Sequence, residues 1–354
     1  NQTVTATASG DSIEENLSKT ISQDEKDDSK ILYELTDLRQ KNVKQFLKDN
    51  STIEEVVYPM AVHYTDSDGK LKDIDNTLIE TRDENNNDIL ENKDNDCKVR
   101  ISKNANSDNF IRIQKDNYEV SWSIQNANKS SSEIISANNS NYSALSSEDK
   151  KKTLTKLSSD VIFKDVFDNV DFNYSLQPGI VKENIVINEN YDNIHYKFKF
   201  NIKNLIPELN KDNTIAFYDS KDTNKLIFSM QAPYMADAAG AKSTDIAVSL
   251  DKVDIDTTTG GAIYITTGGA IDTSIEKADN DPIMSEAGSD ASKDEVDSYL
   301  LTITPNKQWL DELERVYPVT IDPTLKTDTT APMGVYVYSA ALIRIIILTV
   351  QHIK

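Results

Sequence analysis

Apolar and polar residues alternate along much of this chain with the period of a β-strand. In NFIRIQKDNYEVSWSI, Phe110, Ile111 and Ile113 precede Lys115-Asp116-Asn117. Tyr118, Val120, Trp122 and Ile124 then alternate strictly with polar residues. That spacing predicts a half-buried antiparallel strand with one face in a core. HYKFKFNI repeats the form, with Tyr196, Phe198 and Phe200 on one face and Lys197 and Lys199 on the other. Further β runs are DVIFKDVFDNVDFNYSL, GIVKENIVI, TIAFYDS, LIFSMQAPYM, DIAVSL and SYLLTITP. Asp68-Gly69 sits between two apolar runs and predicts a hairpin turn. DSKDTNKL reads as a second hairpin loop, between IAFY and IFSM. TTGGAIYI is followed by TTGGAIDT, and Gly260-Gly261 and Gly268-Gly269 predict the tight turns of a small meander.

Helical spacing is scarce. Leu32, Leu35 and Leu38 predict a short helix, whereas Val43, Phe46 and Leu47 read as the start of a strand. Trp309, Leu310 and Leu313 predict a second short helix. VYPVTIDPT carries strand formers bracketed by Pro318 and Pro323. Proline donates nothing to a ladder, so the two are expected at a strand entrance or an edge, in a closing strand that leaves the domain. The fold class that follows is mostly β, an antiparallel β-sandwich architecture with short helices and long polar insertions. Composition shifts suggest a disordered leader over 1–30 and a first β-rich subdomain over 31–125. A polar connector over 126–156 and a second β-rich subdomain over 157–325 follow, then a linker and atypical apolar tail over 326–354. In the tail, Ser339 to Val350 is a dense apolar run interrupted by Arg344. It is shorter than the roughly 20 residues that cross a bilayer, so no membrane span is expected.

The 354 residues are 38% hydrophobic and 27% charged, with a net charge of −21. That charge repels nucleic acid and anionic membranes, so neither is expected as a partner. Cys97 is the single cysteine; no intrachain disulfide can form, and its acidic neighbours disfavour the thiolate. The first residue, Asn1, is what a processed amino terminus would leave.

Candidate chemistry is thin. His63, His195 and His352 each stand alone, whereas a zinc site needs clustered donors. GxSxG, HExxH, P-loop and dinucleotide-binding motifs are absent from the sequence. The 59 acidic residues are too many to single out a glycosidase pair. Calcium is the one candidate cofactor. Asp66, Asp68, Gly69 and Asp75 fall at EF-hand offsets, but Tyr64 occupies the first ligand position, and the hairpin reading is preferred. Asp251, Asp254 and Asp256 could join a loose calcium site, though an acidic strand edge that resists pairing is the preferred reading. Trp122, Tyr118 and Tyr234 are candidates for a glycan-stacking platform, against a core role for Trp122.

Three blocks of the chain resemble a known family. ELTDLRQKNVKQFLKDN…VVYPMAVHYTDSDGKLKDIDNTL, VIFKDVFDNVDFNYSLQPGIVKENIVI and YLLTITPNKQWLDELERVYPVTIDPT occur in order between Glu34 and Thr324. They are similar to the amino-terminal region of bacterial wall-associated RHS/YD-repeat (DNRLRE-module) surface proteins. The resemblance implies an extracellular or cell-wall protein of a Gram-positive bacterium. There this region precedes DNRLRE modules, RHS/YD repeats and a variable toxin that acts on neighbouring cells. The expected function is therefore a noncatalytic scaffold or attachment module, not an enzyme. Its expected partners are other modules of its parent and cell-wall glycan. A glycan-binding adhesin is the alternative, and a glycoside-processing enzyme comes third. After Thr324 the chain departs from the family pattern, which suggests a tail foreign to the fold.

Overall fold

The structure is a computed structural model. It describes residues 29–135, 148–192, 194–256, 261–265, 296–327 and 346–350. Most of the leader, the second TTGGA copy and most of the tail lie outside these residues. The chain divides into two compact units, 1–58 with 344–354, and 59–343.

The smaller unit is an antiparallel sheet of four strands in the order Ile31–Glu34, Val43–Lys48, Ile53–Val57, Ile346–Val350. Val43, Phe46 and Val56 are buried on it. The expected helix around Leu32 and Leu38 is instead a strand and one 3-10 turn, Thr36–Leu38. Leu32 and Leu38 are exposed, so their spacing marks no buried face. The apolar tail is not foreign to the fold: Ile346–Val350 pairs over its whole length with Ile53–Val57. An unpaired edge of strand formers beside Ile53–Val57 would present free ladder groups, and the tail strand supplies their partners.

The larger unit is a sandwich of two antiparallel sheets. One runs Gly261–Ile265, Ile246–Asp256, Val296–Pro305, Tyr196–Lys203, Tyr118–Ile124, Ile111–Lys115, Cys97–Ser102, Asp88–Asp94, Asp75–Arg82. The other is built around Ser159–Phe167, Val170–Gln177, Ile180–Ile187, Thr324–Lys326 and Leu226–Met230. Aromatic rings interdigitate between them. Phe172 lies 6.1 Å from Tyr196 and 6.3 Å from Phe198, and Phe110 lies 4.9 Å from Phe163. The alternation in HYKFKFNI has its expected result, with Tyr196, Phe198 and Phe200 buried and Lys197 and Lys199 exposed.

The sequence leaves open whether the β runs on the two sides of the 126–156 connector form one sandwich or two; from residue 59 onward they form one. Tyr118–Ile124, before it, pairs with Tyr196–Lys203, after it, along one continuous ladder. One core runs from Leu78 to Leu325. Part of the connector is itself structured. Ser132–Ile135 pairs with Ser159–Phe167, and Glu148–Leu157 is a helix that buries Leu154 and Leu157 three residues apart. The Asn76 amide donates to the carbonyl of Leu157 at 2.9 Å and ties the helix end to the first sheet. Polarity misled here because a short helix needs only one narrow apolar stripe.

Ile246–Asp256 pairs with Val296–Pro305 from Ile246 to Val253 and with Gly261–Ile265 from Lys252 to Asp256, so among the described residues Asp251, Asp254 and Asp256 are each register-paired on one side only, as the acidic-edge reading expects. Another expectation changes: VYPVTIDPT is not a closing edge. Val319–Ile321 lies between Ile180–Ile187 and Met235–Asp237, and Thr324–Lys326 lies between Ile180–Ile187 and Leu226–Met230. The prolines do sit at entrances: Pro318 immediately precedes one short strand and Pro323 precedes the next. Arg315 anchors the approach. Its guanidinium donates to Asp237 at 3.0 Å and lies 3.4 Å over the Trp309 ring.

Candidate functional site

The most unusual chemistry in the described residues lies where Pro323 interrupts the sheet. Ile180–Ile187 pairs with Thr324–Lys326 up to Lys182 and with Val319–Ile321 from Ile185 onward, in one unshifted register. Glu183 and Asn184 face Asp322 and Pro323 without ladder pairing. The period of two then places Glu183 on the same inward face as Val181, Ile185 and Ile187. On its other side Glu183 is register-paired with Tyr174 of Val170–Gln177. Trp122 faces this pair from the opposite sheet, stacked on Phe200 at 5.3 Å.

All three residues are buried: Glu183 is 6% exposed, Trp122 2% and Tyr174 1%. A cavity of about 10 Å³ adjoins two of them and is lined by Trp122, Glu183, Phe198, Met230, Leu301 and Pro323 among others, but not by Tyr174. Burial pushes the Glu183 carboxyl up to about 8, the Tyr174 hydroxyl eases it down, and the negative charge of Asp322 adds to the rise. Asp322 is itself paired with Lys182 at 2.8 Å. Burial, and then the nearby Glu183, raise the Tyr174 hydroxyl well above its ordinary value. The site therefore holds a proton on a carboxyl at neutral pH. Its dimensions admit a water and exclude a sugar or a phosphate.

Tyr118 and Trp122 share the inward face of their strand, so they form no exposed platform. The Tyr118 hydroxyl donates to Asp219 at 2.6 Å and accepts from Lys225 at 2.9 Å. Tyr234 is half-buried on the other sheet's side, with Lys242 5.5 Å from its ring. Burial and Asp322 raise its hydroxyl to about 12. The structure thus places Trp122 in the core and does not gather the three rings for a glycan.

Asp66 is committed to the hairpin between His63–Thr65 and Leu71–Asp73. Its carboxylate accepts from the backbone N–H groups of Asp68 and Lys70 and pairs with Lys72 at 3.1 Å. Gly69 takes the positive φ of 77° that this turn requires. Asp75 belongs to another strand and pairs with Lys93 and Lys156. His63 is buried opposite Asp73, His195 is exposed, and His352 lies outside the described residues. Asp254 and Asp256 lie on a described strand, but their side chains are not described. Cys97 is buried, and burial pushes its thiol to about 12, which leaves it unreactive.

Glu183 was missed in the sequence, yet it left a signal. In GIVKENIVI the inward set defined by Val181, Ile185 and Ile187 includes a glutamate.

No family model matches the chain, and no solved structure matches it. Three curated proteins do. They are the tRNA3(Ser)-specific nuclease WapA of Bacillus spizizenii, 25% identical over 316 residues, and the tRNA(Glu)-specific nuclease WapA of Bacillus subtilis subsp. natto, 26% identical over 312. The third is the tRNA nuclease WapA of Bacillus subtilis strain 168, 25% identical over 312 residues. Each match covers 87% of this chain and 11% of the relative. The chain thus spans about one ninth of the length of the curated relatives it matches. These relatives correct three expectations: a noncatalytic module (with an adhesin as its alternative), the absence of enzymatic activity, and the exclusion of nucleic acid. Each relative is named for cutting tRNA. The charge of −21 belongs to the 354 residues alone, whereas each matched relative is several times longer than the stretch it shares with this chain.

Proposed function

We propose that this chain is a β-rich part of a tRNA-cleaving nuclease of the wall-associated RHS/YD-repeat kind, carried outside the cell and directed at the tRNA of neighbouring cells. The observation that carries the reading is the similarity to three tRNA nucleases over 87% of the chain. The ordered blocks between Glu34 and Thr324 support the amino-terminal placement and the surface location. Among the described residues, no helix is long and apolar enough to cross a membrane. The Glu183 cavity is not where tRNA is cut, since a phosphodiester cannot enter a space of about 10 Å³.

The test uses the complete product of the gene. Purified and incubated with total tRNA, it is expected to give discrete fragments, with binding that weakens as salt rises. Intact tRNA at every salt concentration would overturn the reading. Fractionation of the producing cells should place the protein in the wall or medium; recovery from the cytosol alone would remove the surface assignment.

A further inference from the structure

Three buried polar atoms converge where the ladder breaks at Pro323. Glu183 Oε1, the Tyr174 hydroxyl and Trp122 Nε1 are all out of solvent, and none has a hydrogen-bond partner within the protein. The hydroxyl is near enough to the carboxyl and the indole to influence its titration, yet no pair of them completes a bond of normal geometry. Native interiors seldom leave one such group unmet, and two of these, Glu183 and Trp122, line one cavity, which calls for a shared cause.

The cause is a space of the right size. Opposite Glu183 the sheet offers a short proline ring where its neighbours Ile321 and Leu325 fill the core with branched chains. The resulting cavity of about 10 Å³ matches a single water. The indole N–H can only donate, and a protonated carboxyl supplies a donor and an acceptor. One water can satisfy both.

We propose that the cavity under Pro323 is a single-water site that ties Trp122 on one sheet to Glu183 on the other, making the joint between the sheets sensitive to the protonation of Glu183. The surroundings leave an ionised Glu183 without compensation. From its own strand, Lys182 is engaged by Asp322. From the turn before Thr324–Lys326, Asp322 is itself negative, and Tyr234 lies beside it. From Val170–Gln177 comes only the Tyr174 hydroxyl, and from the facing sheet Trp122 with Phe198, Phe200, Leu301 and Ile303. Met230 completes the lining.

The chain has two tryptophans, so the indole N–H region of an ¹⁵N-correlated NMR spectrum holds two signals, and Trp122→Phe assigns them. The Trp122 signal should show cross-relaxation to a bound water. Its shift should titrate with a midpoint near 8, far above an ordinary carboxyl. Glu183→Gln should abolish the titration and keep the water. Tyr174→Phe, which removes only the hydroxyl, should raise the midpoint further and keeps the proposal testable if Glu183→Gln fails to fold. The proposal is overturned by a Trp122 N–H with no water contact, by a shift flat between about pH 5 and pH 9, or by a midpoint in the usual carboxylate range.

Discussion

Placing a charge on Glu183 means placing it between Val181 and Ile185 with apolar residues of two sheets around it. Its carboxyl titrates near 4.5 in the unfolded chain and near 8 in the folded one. The folded state therefore binds more protons between those values. The stabilisation is fully present below pH 4.5, drains away as pH rises toward 8, and changes no further above it. The steepest loss for one group is about 1.4 kcal/mol per pH unit. Other carboxylates act with the opposite sign. The backbone N–H of Lys70 and the charge of Lys72 hold Asp66 below its ordinary value, so its contribution is lost on acidification. The informative quantity is thus the difference between the wild type and Glu183→Gln in urea unfolding. That difference should grow in favour of the glutamine variant by a few kcal/mol from about pH 5 to pH 8. A difference that stays constant across the range would show that Glu183 ionises freely.

At the scale of elements, much was legible and the misses have physical causes. Strict alternation located Tyr118–Ile124 and Tyr196–Lys203, because a half-buried strand must repeat every two residues. Asp68-Gly69 located its hairpin, because few sequences tolerate positive φ. Replacing Gly69 by alanine meets no steric neighbour, so the cost is that of the backbone alone, about 1 kcal/mol, and Gly69→Asn should cost less. Equal chemical-denaturation midpoints for both variants and the parent would refute that turn. The site was only half legible. A glutamate in the inward register of GIVKENIVI was visible, but its neighbours were not. Tyr174 joins it by strand pairing, Trp122 by the apposition of two sheets, and Pro323 by a return of the chain from about 140 residues further on. No local pattern encodes such a meeting. The helix Glu148–Leu157 was hidden for another reason, since its polar face outweighs the two leucines it buries.

For the whole molecule, the decisive feature is that strands before and after the 126–156 stretch share one ladder and one core. The sandwich is closed by long-range pairing, and Phe172 is among the residues that hold the two sheets together. Truncating it to alanine should cost about 3–5 kcal/mol and destabilise both sheets, which hydrogen exchange on either sheet would report. Loss of protection on the sheet of Val170–Gln177 alone would contradict that coupling. The buried glutamate, the water site under Pro323 and the inaccessibility of both to tRNA follow from the same apposition. The most direct test compares amide hydrogen exchange of the two sheets as urea rises, followed on Tyr196–Lys203 in one and on Val170–Gln177 in the other. One shared core requires that the protected amides of both lose protection together, at one urea concentration. Protection lost in one sheet well before the other would mean that the two sheets are independent bodies.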